Sequence, residues 1–142
     1  MRSFVLVALQ IALIVAIAQP FDAQDWNREA SVLVAVGIAI GAWTLTANRP
    51  GNFGILPEPK AGAVFVTGGP YRYVRHPMYL ALLVALTGVC VGYGTSWRWA
   101  ALAALAAVLH IKSSVEERAM AQRHPGYAEY ARGRKRFVPF VW

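Results

Sequence analysis

The sequence predicts an all-α integral membrane protein of about four transmembrane helices, and three observations carry that prediction. Hydrophobic residues make up 57% of the 142-residue chain, only 15% are charged and the mean hydropathy is +0.42. Soluble proteins carry about 25% charged residues. The apolar residues gather in four blocks close to the length of a bilayer-spanning helix, about 20 residues at a rise of 1.5 Å each. Finally, twelve of the fourteen Lys and Arg residues fall on one side of the topology that four spans impose. One domain, residues 1–142, accounts for the whole chain.

The first block, Phe4 to Ala18, is closed by Gln19 and Pro20 and predicts a span over about residues 3–20. Met1-Arg2, the apolar core and Ala16-Ile17-Ala18 also fit a signal peptide with its cleavage site. Three further spans follow, so a retained helix is expected. The second block, Ala30 to Ala47, predicts a span over about 29–48, with Gly37 and Gly41 spaced as a GxxxG face for close helix packing. The third, Met78 to Gly94, predicts a span over 77–95. Pro77 fits its first turn, where a missing N–H costs nothing, and Cys90 reads as a small core residue. The fourth, Trp97 to Ile111, is interrupted by Arg98 and predicts a span over 97–113, with Ala100, Ala104 and Ala107 as a small-residue packing face. Backbone groups in lipid must be satisfied within their own segment, so each block is a helix and not a strand.

Charge orients these spans. One side holds Arg2, then Arg49, Lys60, Arg72 and Arg75, then the seven basic residues from Lys112 to Arg136; the other holds Arg28 and Arg98. The positive-inside rule makes the rich side cytoplasmic, with both termini there and the loop carrying Asp22, Asp25 and Glu29 outside. Much of the net charge of +7 is therefore a topology signal, and no nucleic-acid partner is expected. Membrane lipids are the natural partner of Arg134, Lys135 and Arg136, at about 1 kcal/mol for each basic residue near an anionic surface. His76, His110 and His124 lack metal-ligand spacing, and no metal is expected. The oligomeric state is left open.

Two cytoplasmic segments carry the chemistry. The loop 49–76 holds Pro50, Pro57, Pro59 and Pro70 with five glycines, which specify turns. A connection this long is usually functional or disordered, and its apolar anchors Phe53, Val64, Phe65 and Val66 predict an ordered loop packed at the membrane face. It ends at His76, about at the N-cap of the third helix, with Tyr79 in the first turn. Such a helix end offers free N–H groups and partial positive charge, strengthened by Arg72 and Arg75; an interfacial belt anchoring the helix is the alternative. In the tail, 114–142, Glu116 and Glu117 fall about a turn and a half past Ile111, on a cytoplasmic continuation of the fourth helix. A Lys112–Glu116 pair on a solvated helix is the plain reading, worth a few tenths of a kcal/mol.

Taken in order, Asn52, Pro57 and Pro59 (N-x4-P-x-P), Gly69 to Tyr79 (G-P-Y-R-x-x-R-H-P-x-Y), a span, Glu116-Glu117, Tyr127 and Tyr130 (Y-x-x-Y), and Arg136, Phe137 and Pro139 (R-F-x-P) resemble the isoprenylcysteine carboxyl methyltransferase family and its phospholipid methyltransferase relatives. The resemblance covers about Asn52 to Trp142. RHPxY alone is moderately specific; the whole series in this order is a strong signal. It implies an integral membrane enzyme that uses S-adenosylmethionine, in a pocket formed by the loop, the start of the third span and the tail. Arg75, His76, Glu116 and Glu117 are the implied catalytic set. Tyr71, Arg72, His76, Pro77, Tyr79, Glu117, Tyr127, Tyr130 and Arg136 are the implied cofactor contacts.

Methyl transfer is an in-line displacement at a sulfonium, so alignment and exclusion of water carry most of the catalysis. A carboxylate such as Glu117 suits ribose hydroxyls, the amino group or the sulfonium charge. Arg72 or Arg75 suits the cofactor carboxylate or an acidic acceptor, and Tyr127 and Tyr130 suit the adenine. An anionic acceptor needs no base, whereas a neutral amine or hydroxyl needs one, for which His76 and Glu116 are candidates. The family often has Phe-Gly before the tail tyrosines, where this chain has His124-Pro125-Gly126, which puts the local backbone in doubt. The chain's size resembles short bacterial members. That implies a bacterial inner-membrane protein and a lipidic or small hydrophobic acceptor, a carboxylate, thiol or amine. Two rival readings stand beside it. One is an NADPH-dependent membrane reductase of the sterol reductase type, which shares the acidic pair and the tail. The other is a non-enzymatic membrane subunit with a lipid-binding tail.

Overall fold

The computed structural model describes residues 2–19, 26–48, 65–139 and 141, and the regular elements among them are helices. The elements are α1 (Arg2–Ala18), α2 (Arg28–Ala47), a short 3-10 turn (Gly69–Arg72), α3 (Pro77–Tyr93), α4 (Ser96–Arg123) and α5 (Tyr127–Arg132). Among the described residues there is no strand, only a single parallel bridge between Val74 and Lys135. The expected loop anchors Phe53 and Val64, the motif residues Asn52, Pro57 and Pro59, and the charges Arg49, Lys60, Asp22 and Asp25 lie outside the described residues.

Local chemistry accounts for the helix ends. Asn27 caps α2, its side-chain oxygen accepting from Ala30 N at 2.8 Å, which satisfies one of the open N–H groups of the first turn. Pro77 starts α3 with His76 at the N-cap, and Gly94, at φ 64°, closes it. That left-handed residue ends α3 at Tyr93, two residues short of the expected boundary, because only glycine takes the conformation without strain. No comparable breaker interrupts α4, which runs for 28 residues. That is roughly 42 Å at 1.5 Å per residue, longer than a hydrocarbon core of about 30 Å. The excess carries Glu116 and Glu117 past the apolar part of the helix.

α2 and α4 are long and apolar enough to cross a membrane, with mean hydropathies of 1.9 and 1.2. α1 and α3, at 17 residues each, stand at the short end of the range that spans. The outward faces are apolar: Phe4, Val5, Leu9, Ile11 and Val15 on α1, and Val32, Val36, Ile38 and Leu45 on α2 are all exposed. In water such a surface favours association or aggregation; lipid is its natural solvent. Exposed aromatic rings lie near the helix ends, Trp26, Trp97 and Trp99 toward one side and Trp43 and Tyr73 toward the other, as at membrane interfaces.

α2 packs chiefly on α3, and α1 on α4. A Cβ at Gly37 would come within 2.6 Å of Ala85 N and 2.7 Å of Ala81 O, so this glycine lets the two backbones touch. Gly41 is looser, with Ala81 Cβ at 3.7 Å. The GxxxG face thus works within the chain. The small-residue face on α4 does not: Ala100, Ala104 and Ala107 are exposed, and α4 turns Leu102, Leu105, Leu109, Lys112 and Ser113 inward instead. The expected Lys112–Glu116 surface pair is also replaced. Lys112 is 4% exposed and donates to Gln10 Oε1 of α1 at 2.9 Å, because Gln10 offers a partner inside the bundle.

At the opposite end, Arg98 is fully buried. Its Nη1 donates to Ile17 O, its Nη2 to Gln19 O at 2.8 Å and its Nε to Thr95 Oγ1 at 3.1 Å, and its guanidinium lies 4.0 Å from the centre of the Tyr93 ring. Arg98 therefore closes the C-terminal carbonyls of α1, which otherwise lack partners. The core cluster joins Ile17, Leu86, Cys90, Leu102, Leu105 and Leu109 with Phe137 from the tail, which is fully buried. Burying one such ring contributes roughly 2–3 kcal/mol, and here it pins the tail across the bundle.

Candidate active site

Three segments converge where α3 begins and α4 emerges. The stretch before α3 and the tail lie side by side: Arg75 N donates to Lys135 O at 2.9 Å and His76 N to Arg136 O at 3.0 Å. This clasp, with Phe137 buried beneath it, brings Arg75, His76 and Arg136 over the Glu116–Glu117 turn of α4.

Glu117 is the hub. Its Oε1 lies 2.9 Å from Arg75 Nε, 3.0 Å from His76 Nε2 and 3.2 Å from Arg136 Nε, and its Oε2 accepts from Arg136 Nη2 at 2.8 Å. The Arg136 fork is bidentate, a strong charge-assisted geometry. Arg75 Nε makes an ion pair without a hydrogen-bond angle, while its Nη1 donates to Ala131 O at 2.8 Å. Burial works against the Glu117 anion, but the bonds from His76 and Arg136 and the charge of Arg75 outweigh it and hold the carboxyl at about 2.

Glu116 is differently placed. Its Oε1 accepts from the Tyr79 hydroxyl at 2.5 Å, and its Oε2 stands 3.4 Å from His76 Nδ1. His76 thus bridges both carboxylates. Burial alone would lower its pKa; the two carboxylates together win, and the net displacement is upward. The ring stacks on Tyr79 at 5.4 Å between ring centres. Pro77 is buried beneath them.

The remaining expected residues fall into two neighbouring groups. Tyr71, Tyr127 and Tyr130 form an aromatic brace: Tyr130 OH donates to Tyr71 O at 2.8 Å, Asn48 Nδ2 donates to Tyr71 OH at 3.1 Å, and Phe65 packs on Tyr127, Tyr130 and His124. Tyr127 and Tyr130 are each 6% exposed. Burial, the largest influence on each, pushes the three phenols up, Tyr130 to about 12, so they stay neutral. The backbone around His124-Pro125-Gly126 is a tight turn leading into α5. Arg72, exposed on the 3-10 turn, stands apart from the carboxylates on the wall of an adjacent basic cavity.

Sequence reasoning missed three participants. His110 and Ser114 receive Arg136 Nη1, at 3.2 Å from His110 Nδ1 and 3.1 Å from Ser114 Oγ. Phe137 meets both His76 and Tyr79 edge-on. The spacing of His110, Ser114 and Glu117, i, i+4 and i+7, puts them on one helical face and was the available signal. Nothing comparable marks the inward turn of Phe137.

A family model described as phospholipid methyltransferase matches residues 28–125, more than half of the chain. The chain belongs to that family. The matched region runs from the start of α2 to the turn before α5, so the phospholipid methyltransferase region contains Arg75, His76, Tyr79, Glu116 and Glu117, while Arg136 reaches the same cluster from beyond it. No curated protein matches the chain, and no solved structure does. Membership makes this a methyltransferase-family protein, and its apolar helices agree with the membrane setting of a phospholipid methyltransferase.

Proposed function

We propose that the chain is an S-adenosylmethionine-dependent methyltransferase of the membrane, with all four apolar helices crossing the bilayer and the Glu116–Glu117 cluster at the cytoplasmic face. It transfers a methyl group to a lipidic or small hydrophobic acceptor bearing a carboxylate, thiol or amine. One observation carries the reading. Within a phospholipid methyltransferase chain, His76 and Tyr79 from one segment and both glutamates from another, distant in sequence, meet at 2.5–3.4 Å.

The residues present suit the methyl donor. S-adenosylmethionine supplies a methyl group on a sulfonium, together with an amino group, a carboxylate and ribose hydroxyls. Both oxygens of Glu117 are already occupied by Arg75, His76 and Arg136. Glu116 has one short bond, from Tyr79, and only a 3.4 Å contact from His76, so it retains acceptor capacity for a hydroxyl or a cationic group. Of the two carboxylates, Glu116 is therefore assigned to the donor, and Glu117 holds the cluster in place. The same reasoning selects Glu116 over His76 as base for a neutral acceptor, because both His76 ring nitrogens face carboxylates, Nε2 at 3.0 Å from Glu117 and Nδ1 at 3.4 Å from Glu116. Tyr71, Tyr127 and Tyr130 brace the tail, and Arg75 and Arg136 keep Glu117 ionised. Orientation and exclusion of water supply the rate, and the acceptor arrives from the lipid side.

Titration of the detergent-solubilised full chain tests this. Micromolar binding of S-adenosylmethionine and its demethylated product, without NADPH binding, is expected; Glu116→Gln weakens it roughly tenfold or more through the lost charge-assisted contact. Binding of NADPH alone overturns the reading in favour of a reductase, and binding of none favours a non-enzymatic subunit. A labelled-methyl screen over membrane lipids and small thiols then identifies the acceptor.

A further inference from the structure

Behind Arg75 and Arg136, on the side away from the glutamates, lies a cavity of about 640 Å³. Its described lining includes Arg72, Arg75, Arg132, Arg134, Lys135 and Arg136, and no carboxylate. Glu117 neutralises Arg75 and Arg136 from the rear. Arg72, Arg132, Arg134 and Lys135 enter no ion pair among the described residues. Arg134 is partly buried, its guanidinium 4.8 Å from the centre of the Tyr130 ring, and its Nε is buried without a hydrogen-bond partner.

The backbone that carries these charges is held in place. Lys135 is held in the bridge to Val74, Arg136 by Glu117, and Arg132 ends α5. A group of like charges gathered by the backbone around a concave space favours an anion, since each cation's repulsion from its neighbours becomes attraction to a shared counter-charge. The volume lies in the range of small-molecule sites and exceeds the needs of a single inorganic ion. An ammonium-bearing headgroup meets only like charge there. The mouth is amphipathic. Tyr73, 52% exposed and 6.1 Å from the Trp43 ring, and Val141, 74% exposed, flank it, and such a pairing of aromatic rings with a cationic pocket suits the headgroup level of a bilayer.

We propose that this cavity binds the phosphate of an anionic, amine-free phospholipid headgroup, at a site separate from that of the methyl donor. Bound there, the lipid draws the tail and the start of α3 against the membrane surface and so presents the glutamate cluster to the bilayer. The assignment does not depend on methyl transfer, because its readout is lipid binding.

Native mass spectrometry of the full chain in neutral detergent, titrated with short-chain phosphatidic acid, its phosphatidylethanolamine counterpart and inorganic phosphate, provides the test. One phosphatidic acid per chain is expected, with the ethanolamine lipid and inorganic phosphate each weaker by roughly tenfold or more. The double variant Arg132→Gln/Lys135→Gln, which leaves backbone bonds intact, weakens phosphatidic acid binding about 30-fold, the equivalent of two basic residues at a lipid surface. Its melting temperature reports that it remains folded. Equal affinity for the ethanolamine lipid or for inorganic phosphate overturns the lipid assignment, as does a folded double variant that binds like the wild type. Displacement by S-adenosylhomocysteine overturns the separation of the two sites. Absence of S-adenosylhomocysteine binding with retained lipid selectivity would instead count against the methyltransferase reading alone.

Discussion

Replacing Glu117 by Gln removes one charge and almost no volume, and it isolates what the hub of the cluster contributes. The carboxyl sits at about 2, against an ordinary 4.5, which corresponds to roughly 3 kcal/mol of stability at neutral pH. Geometry gives a similar figure. Removing one partner of a buried ion pair costs about 3–5 kcal/mol, and the low end applies because the side chains of Arg75, His76, Glu117 and Arg136 keep 11–19% exposure. For a chain of this size, about 3 kcal/mol lowers the melting temperature by roughly 10 °C. Scanning calorimetry in detergent at pH 7 measures it. The pH profile adds an independent check. Glu117's contribution is complete above 4.5 and disappears as pH falls through about 2. That of His76, whose pKa is raised, is complete below 6.5 and disappears as pH rises through its higher folded value. The wild-type cluster is therefore tightest between about pH 4.5 and 6.5, and Glu117→Gln flattens the acid limb while Glu116 preserves part of the alkaline one. A melting temperature within about 2 °C of wild type, or an unchanged acid limb, refutes the reasoning.

Three further outcomes follow from packing. Phe137→Ala empties a fully buried position that joins the tail to the core; a loss of about 3–5 kcal/mol and faster proteolysis of the tail are expected in limited digestion. Gly37→Ala places a methyl group 2.6 Å from the backbone of α3 and costs about 1–3 kcal/mol, whereas Gly41→Ala, with 3.7 Å available, changes the melting temperature by little. Arg98→Met removes the donors that close α1 at Ile17 and Gln19; a loss of about 2–4 kcal/mol and faster hydrogen exchange at the end of α1 are the measured consequences.

Much of the local architecture was legible in the sequence. Apolar block lengths, Pro77 ahead of the third block and the step from Ile111 to Glu116-Glu117 rest on backbone chemistry that acts over a few residues; α1, α2 and α3 begin and end within two residues of the expected bounds, while α4 runs on to Arg123. The site was legible in a different way. Motif order pointed to His76, Tyr79, Glu116 and Glu117 together, and the matched region from 28 to 125 covers all four. Arg136 joins them at 2.8 Å. What could not be read was direction. On helices as uniformly apolar as α3, the outward and core-facing sides carry the same residue types, so periodicity does not mark the inward face. Ala100, Ala104 and Ala107 therefore looked like a packing face and are exposed, while Lys112 looked solvated and turns to Gln10.

By itself, then, the sequence determined that the chain is helical, where its apolar stretches begin and end, and which polar residues stand at their borders. Each of these follows from hydrogen-bonding demands and residue preferences that act along the chain. Only the tertiary structure decided that the tail runs beside the start of α3, that Phe137 enters the core, and that Arg75, His76 and Arg136 enclose Glu117 while Glu116 meets Tyr79 and His76. The clasp and the glutamate cluster depend on contacts between residues 19 to 60 positions apart. Such contacts are selected by the burial and pairing of side chains once the helices have packed, and no local pattern contains them.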